Sequence, residues 1–464
     1  EEQILEPVIP PVVQCSSQHC EEHSPEEYPV PNQWSLNYTQ YNVKEQEKRF
    51  NHVEDLGTEI QYRCISCRNC NKCKKGDLIE ETSLKEEMEQ ALLESSVKLI
   101  PERRRLEATL PFIEDPRETL KPNCFVAEKI LESQLKLFTK HPEMKLDTLK
   151  SHEKLVNKGH AIPVKDLSPE EREGMESTPG QGYVIPWRTV YKPDSLSTPC
   201  RMVFDASART SSGHSLNSIL AKGQNRLARL MDLLIRFRRG KVGVTSDISM
   251  AYNGLKLSSR DYKYQQYLWK ADLDPKNPTV VMIMRTLIYG VKSAGGQTQV
   301  GLTELAEYCI ENFPEHTLGA ETLRDETYVD DILKSADSLE EVQRTCSDIT
   351  FTLNLGSMSV KDFTISGTSP SDKVSVDGKS VGLAGYLWEP LEDVIRLNIK
   401  NIYLDKVKRG KPPKPIQGDL KTALKDQFTR RVLVGKVAQV FDPLGLVTPI
   451  TANLKLDLHT VCLT

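Results

Sequence analysis

The chain has 464 residues, 38% of them hydrophobic and 27% charged, with a formal net charge of −4. That length allows roughly two to four domains. No run nears the ~20 apolar residues that cross a bilayer, and residues 1–30 show no signal-peptide pattern, so no membrane-spanning helix is expected within this sequence. Glu rather than Met stands first, as in a piece of a longer product. The near-neutral balance hides segregation. The first 43 residues carry seven Glu and no Lys or Arg, whereas Lys400 to Lys436 carries eleven Lys or Arg against three Asp. A confined basic surface fits phosphate binding and fits an ordinary solvated face equally well.

Residues 1–60, rich in Pro, Glu, Ser, Gln and Asn, read as an acidic, poorly ordered linker. A basic segment at 61–76 follows, with Cys64, Cys67, Cys70 and Cys73 among Arg63, Arg68, Lys72, Lys74 and Lys75. Two CxxC pairs can chelate Zn²⁺, and the neighbouring cations favour thiolates. Only Arg68 and Asn69 separate the inner cysteines, so a basic thiol-rich loop is the alternative. The other cysteines are scattered, which points to a reducing compartment.

Residues 77–160 form a helical extension, with helical spacing over 77–98, Cys124–Phe138 and 146–158 and a short strand at Leu106–Ile113. From about His160 the texture becomes β-like. Thr189–Lys192 and Arg201–Asp205 read as two strands joined by a Pro/Ser/Asp loop, a hairpin able to present Lys192 and Arg201 to a polyphosphate. Asn225–Lys241 reads as a basic helix bearing Arg236, Arg238 and Arg239 over an apolar face. After Gly240, Val242–Asp247 reads as a strand ending in a carboxylate. Residues 279–289 form a buried-strand candidate, and the loop Gly290–Gly296 lets backbone approach a ligand. A helix then runs to Pro314. Next come the strand pair around Asp330 and Asp331, a helix opened by Ser338 with Glu341 three residues on, and a strand. This order is that of a split βαβ, ferredoxin-like sheet.

Alone, Asp330–Asp331 is an acidic turn between β-forming residues. With Asp247 at a neighbouring strand end, three like charges would converge and repel. Hard divalent cations, which take carboxylate oxygens, remove that cost. Such a site activates a hydroxyl nucleophile and stabilises a pyrophosphate leaving group.

These residues carry a resemblance. Tyr328-Val-Asp-Asp331 resembles the catalytic signature of reverse transcriptases, and Asp247-Ile-Ser-Met-Ala-Tyr252 is similar to their first metal-binding motif. Val203-Phe-Asp-Ala-Ser207, Ser215-Leu-Asn-Ser218, Phe441-Asp-Pro-Leu-Gly-Leu-Val-Thr-Pro449 and the four-cysteine cluster look like stretches of BEL/Pao-type long-terminal-repeat retrotransposon polyproteins. The resemblance implies an α+β right-hand polymerase. Fingers and a ferredoxin-like palm would fill 161–395, and the start of a basic, truncated thumb or connection 396–464. Its function would be RNA-directed DNA polymerase, a nucleotidyltransferase extending a primer 3′-hydroxyl by a two-metal mechanism with Mg²⁺ or Mn²⁺.

Carried over, Asp247, Asp330 and Asp331 are the metal ligands. Lys192, Arg201, Tyr252, Tyr289, Gly290 and Ser293 contact the incoming nucleotide. Tyr328, Trp388, Arg236, Arg238 and Arg239 face primer and template. Partners are an RNA template, a DNA primer and dNTPs. Protease, ribonuclease H and integrase segments are expected outside this chain, in a context of DNA integration, with no membrane. An intracellular location follows, in cytoplasmic virus-like particles with nuclear access. Two departures stand out: Leu355-Gly356 replaces the usual Lys-Trp, with Lys361 nearby but unassigned, and the Ser293 loop lacks a proline. They leave a catalytically inactive nucleic-acid-binding remnant, or a host-retained structural protein with a polymerase fold, as the competing reading.

Overall fold

The structure is a computed structural model that describes residues 84–178, 180, 182–191, 200–370, 374–375, 378–398, 434 and 441–463. The cysteine cluster Cys64–Cys73, Lys192 and nearly all of the basic 400–436 stretch lie outside the described residues. The chain divides into two units, Glu1–Ala91 and Leu92–Thr464. Of the first, only the opening turns of helix α1 (Leu84–Ser95) are described. All the other described elements belong to the second.

The secondary structure of this second unit is mixed, with several small sheets. Strands β1 (Val97–Ile100) and β2 (Arg105–Ala108) form a hairpin. After the short helix α2 (Pro116–Thr119), the consecutive helices α3 (Cys124–Lys140) and α4 (Pro142–Asn157) precede β3 (Ala161–Pro163) and α5 (Pro169–Ser177). Ala127, Leu131, Leu135 and Phe138 are the buried stripe of α3, at the helical spacing its sequence displays. Strands β4 (Trp187–Tyr191) and β5 (Cys200–Phe204) pair antiparallel, with Val190 opposite Arg201. The basic helix is shorter than its sequence suggests: α6 covers Leu230–Phe237 only. Residues 225–229 precede it as irregular chain.

The sheet that matters is built on β6 (Val242–Ser249). Strands β7 (Leu255–Leu257), β8 (Gln266–Lys270) and β9 (Thr279–Met284) belong to neighbouring sheets. Helices α7 (Ala294–Asn312) and α8 (Thr317–Asp325) lead to β10 (Thr327–Tyr328) and β11 (Asp331–Ala336), and α9 (Leu339–Leu355) leads to β12 (Ser359–Val360) and β13 (Thr364–Ile365). The order is β10-β11-β6-β12, with β13 also on β6, and neighbours antiparallel throughout. A strand inserted between the two ends of each crossover is the split βαβ arrangement that the sequence order anticipates.

Adjacent residues of β11 show why two layers cover this sheet. Ile332 is buried with Ile248 and with Ile349 and Leu353 of α9. Leu333, pointing the other way, is buried with Leu234 and Phe237 of α6 and with Trp388. Trp388 lies on β15 (Tyr386–Glu389), between β14 (Val381–Leu383) and β16 (Val394–Arg396). Its ring meets Phe237 edge-on, centroids 5.1 Å apart. Helix α10 (Thr448–Leu463) closes the described chain. No helix among the described residues is long and apolar enough to cross a membrane.

Candidate metal centre

Asp247 lies within the buried run of β6, next to its last member Ile248, and stands opposite Asp331, the first residue of β11. Asp330 is the second residue of the two-residue turn that joins β10 to β11, because Tyr328 pairs with Asp331. Register alone therefore brings the three carboxylates together. One oxygen from each lies within 4.8 Å of the others.

The turn that delivers Asp330 is under strain. Val329 has φ of +60°, in the left-handed region where a β-branched residue is a true outlier. Two-residue hairpins favour such a φ because it matches strand twist, but they normally fill the position with Gly. The cost, about 1–3 kcal/mol, is held by flanking hydrogen bonds. Gln299 Nε2 of α7 donates to the Val329 carbonyl at 3.2 Å, and the Ile248 N–H donates to the Asp330 carbonyl at 2.8 Å.

On the far side of β6 the ladder carries an extra residue. Val360 pairs with Ile248 and Thr364 with Thr245. Asp247 and Ser246 thus face three residues, Lys361, Asp362 and Phe363. This is a β-bulge, a device that re-aims a side chain. Here it aims Lys361, whose Nζ lies 2.7 Å from Asp247 Oδ2. Its N–H donates to the Asp247 carbonyl at 2.9 Å, and Ser246 Oγ donates to its carbonyl at 2.9 Å. The sequence leaves Lys361 unassigned because its approach depends on that extra residue.

Tyr252 and Tyr289 stack beside the carboxylates, with ring centroids 4.2 Å apart and planes 30° from parallel. Burial and the charge of Asp330 raise the Tyr252 phenol above its ordinary value. Burial, then Asp330, Tyr252 and Asp247, push Tyr289 up to about 12, with Arg201 pulling the other way. Both phenols therefore stay neutral hydrogen-bond donors.

Gly290 follows with φ of +109°, and a Cβ there would sit 2.0 Å from the Phe204 carbonyl oxygen. Only glycine fits. Asn217 straps this loop from both sides: its Nδ2 donates to the Gly290 carbonyl at 2.8 Å and its Oδ1 accepts from the Lys292 N–H at 2.8 Å. The strap is a positioning element that the sequence motif around Ser215–Ser218 contains without declaring. Ser293 is fully buried, and its Oγ has no hydrogen-bond partner among the described residues.

The other expected contacts fall into two groups. Arg201, Arg236 and Arg239 are exposed, and Tyr328 is half-buried. Trp388 needs correcting as a primer or template contact. It is fully buried, and its Nε1 donates to Asp393 Oδ1 at 2.9 Å, so its ring is core and offers no stacking face. Arg238 is committed to the same carboxylate, Nη1 to Oδ1 at 2.7 Å. Together they tie α6 to the β15–β16 turn.

The donor set fits a hard divalent cation: three carboxylates, no thiol or imidazole, within chelating reach. Nothing in it favours a soft metal.

No protein-family model and no curated protein matches the sequence. Among solved structures, the chain is similar to a foamy viral protease–reverse transcriptase in complex with an RNA/DNA hybrid, at 14% identity and a TM-score of 0.38, over 64% of this chain and 30% of that one. The same kind of protein in complex with double-stranded DNA gives 13% identity and a TM-score of 0.36, over 61% and 38%. A prototype foamy virus protease–reverse transcriptase mutant gives 17% and 0.36, over 56% and 26%. The chain thus spans at most 38% of these chains. A likeness this loose carries no argument, and the functional reading rests on the site.

Proposed function

We propose that the chain is the polymerase part of a reverse transcriptase, transferring nucleotides to a primer 3′-hydroxyl on an RNA or DNA template. The observation that carries this reading is the meeting of Asp247, Asp330 and Asp331 within 4.8 Å, where β6 pairs with the start of β11 beside the β10–β11 turn. Divalent cations held there would supply Lewis acidity for the attacking hydroxyl and charge neutralisation for the departing pyrophosphate.

The chain's own residues supply placement. The Val329 turn and the β6 register hold the carboxylates against mutual repulsion. Tyr252, braced by Tyr289, presents a flat wall beside them that excludes a 2′-hydroxyl. The glycine loop strapped by Asn217 lines the nucleotide pocket, and exposed Arg201 with Lys192 would neutralise the triphosphate. Arg236 and Arg239 would hold nucleic-acid backbone through phosphate charge. In this reading β6 and its neighbours are the palm, and β4–β5 belongs to the fingers. The BEL/Pao kinship, the polyprotein setting and the virus-like-particle location belong to the same proposal.

A second reading, nucleic-acid binding without catalysis, is favoured by one observation: Lys361 already neutralises Asp247. Primer extension on an RNA template with Mg²⁺ separates the two. Incorporation that falls about 10²–10³-fold or more in Asp330→Asn supports the polymerase. Primer–template binding without incorporation, unaltered by Asp330→Asn, supports the remnant.

A further inference from the structure

Away from the carboxylates, four separated stretches of chain bring five cations to one cavity of about 540 Å³: Arg103 and Arg105, Lys158, Lys256 and Arg285. None of the three aspartates lines it. Strand parity explains the convergence. On β2, Leu106 and Ala108 are buried while Arg105 and Glu107 face the other way. On β7, Leu255 and Leu257 are buried and Lys256 faces out between them, opposite Glu107 in the parallel register.

The cavity is short of negative charge. Arg105 pairs with Glu107 at 2.6 Å, and Arg285 pairs with Glu171. Arg103, Lys158 and Lys256 have no ion pair among the described residues. Two carboxylates against five cations leave an excess of three positive charges. Burial, then Arg285 and Arg105, hold the Lys256 ammonium below its ordinary range, with Glu171 and Glu107 offsetting part of that. The Nε groups of both Arg105 and Arg285 are buried with no acceptor among the described residues. Such donors normally find one.

We propose that this cavity binds a small polyphosphate: a compact anion carrying several charges, held by side chains without a metal ion. Guanidinium forks and ammonium groups match phosphate oxygens. Ser249 and Ser359, paired across β6 and β12, add hydroxyls to the lining. The volume lies within the ~300–1,000 Å³ typical of small-ligand sites. His160 is the lone ring in the lining, so a phosphate chain is recognised and a nucleobase is not.

This inference stands independently of the polymerase reading. The test is calorimetric titration of the full chain with inorganic tripolyphosphate in EDTA at low salt. Saturable binding is expected, weakened about tenfold or more by Arg103→Glu combined with Lys158→Glu, two exposed positions whose reversal leaves the core intact. Asp330→Asn is expected to leave it unchanged, while the same variant abolishes extension if the polymerase reading holds. A single-stranded oligonucleotide that fails to displace tripolyphosphate supports a free polyphosphate. Displacement reassigns the cavity to strand phosphates and overturns the small-ligand assignment. No binding in EDTA, or binding that the double reversal leaves untouched, also overturns it.

Discussion

Lys361 Nζ sits 2.7 Å from Asp247 Oδ2, so the chain itself contributes a cation to its cluster of carboxylates. An incoming divalent ion has to compete with that ammonium. Lys361→Met should therefore raise Mn²⁺ affinity about fivefold, the equivalent of ~1 kcal/mol for a partly exposed pair. Calorimetric titration with Mn²⁺ measures it. Unchanged or weaker binding would show that the lysine does not compete for the site.

Mutual repulsion among the carboxylates sets a stability signature. Asp330→Asn or Asp331→Asn should leave the melting temperature without added metal equal or higher, because each removes one of three like charges. The stabilisation that Mn²⁺ confers on the wild type should vanish in both variants. Thermal melts with and without Mn²⁺ decide it; a metal-independent fall in Tm would instead mark the aspartates as structural.

The glycine loop makes a paired prediction. Gly290→Ala places a methyl group against the Phe204 carbonyl in a backbone region disfavoured for alanine, and should cost several kcal/mol, on the order of 3 or more. Asn217→Ala removes two hydrogen bonds at about 1 kcal/mol each. On the polymerase reading its loss should appear as a raised KM for nucleotide, alongside a fall of a few °C in Tm for the ~2 kcal/mol removed. If KM is unchanged, the strap does not position the nucleotide pocket.

Two buried groups titrate in opposite senses. Burial pushes Asp261 up to about 6, although the Leu110 N–H bond and Arg260 draw it down. Burial alone pushes His152 down to about 4. For Asp261 the folded value lies above the unfolded one, so its contribution is lost as pH rises from about 4 to 6. For His152 the folded value lies below, so its contribution is lost as pH falls from about 6.5 to 4. The two slopes oppose each other. Asp261→Asn should expose an acid destabilisation of about 3 kcal/mol between pH 6.5 and 4 that the wild type masks. Urea titrations across that range test it; parallel profiles for the two proteins would refute the cancellation.

Local pattern makes much of this fold legible. The stripe of α3, the alternation in β4 and β5 and the order of elements around β6 can all be read from side-chain period. The aspartates can be brought together on paper because they lie on or beside strands that the order makes neighbours, although β6 runs two residues past Asp247 to Ser249. The features that escape such a reading depend on counting across the fold. The helix α8 follows Pro314 too closely to show a period of its own. Trp388 resembles a ligand-facing aromatic in sequence because nothing local shows that Phe237 and Asp393 enclose it. Lys361 stays unassigned for want of the bulge. The basic cavity draws on positions 103 to 285, each an ordinary surface charge in its own stretch.

That bulge has a consequence for how such a chain can change. Between Val360 and Thr364 the lysine's aim is set by the number of residues, three facing two. Loss of a single codon there would restore a regular ladder and turn Lys361 away from Asp247, with no core side chain replaced. The link between lysine and carboxylate is therefore written in spacing more than in composition. Comparisons among descendants of this sequence should look for it in gaps as well as in substitutions.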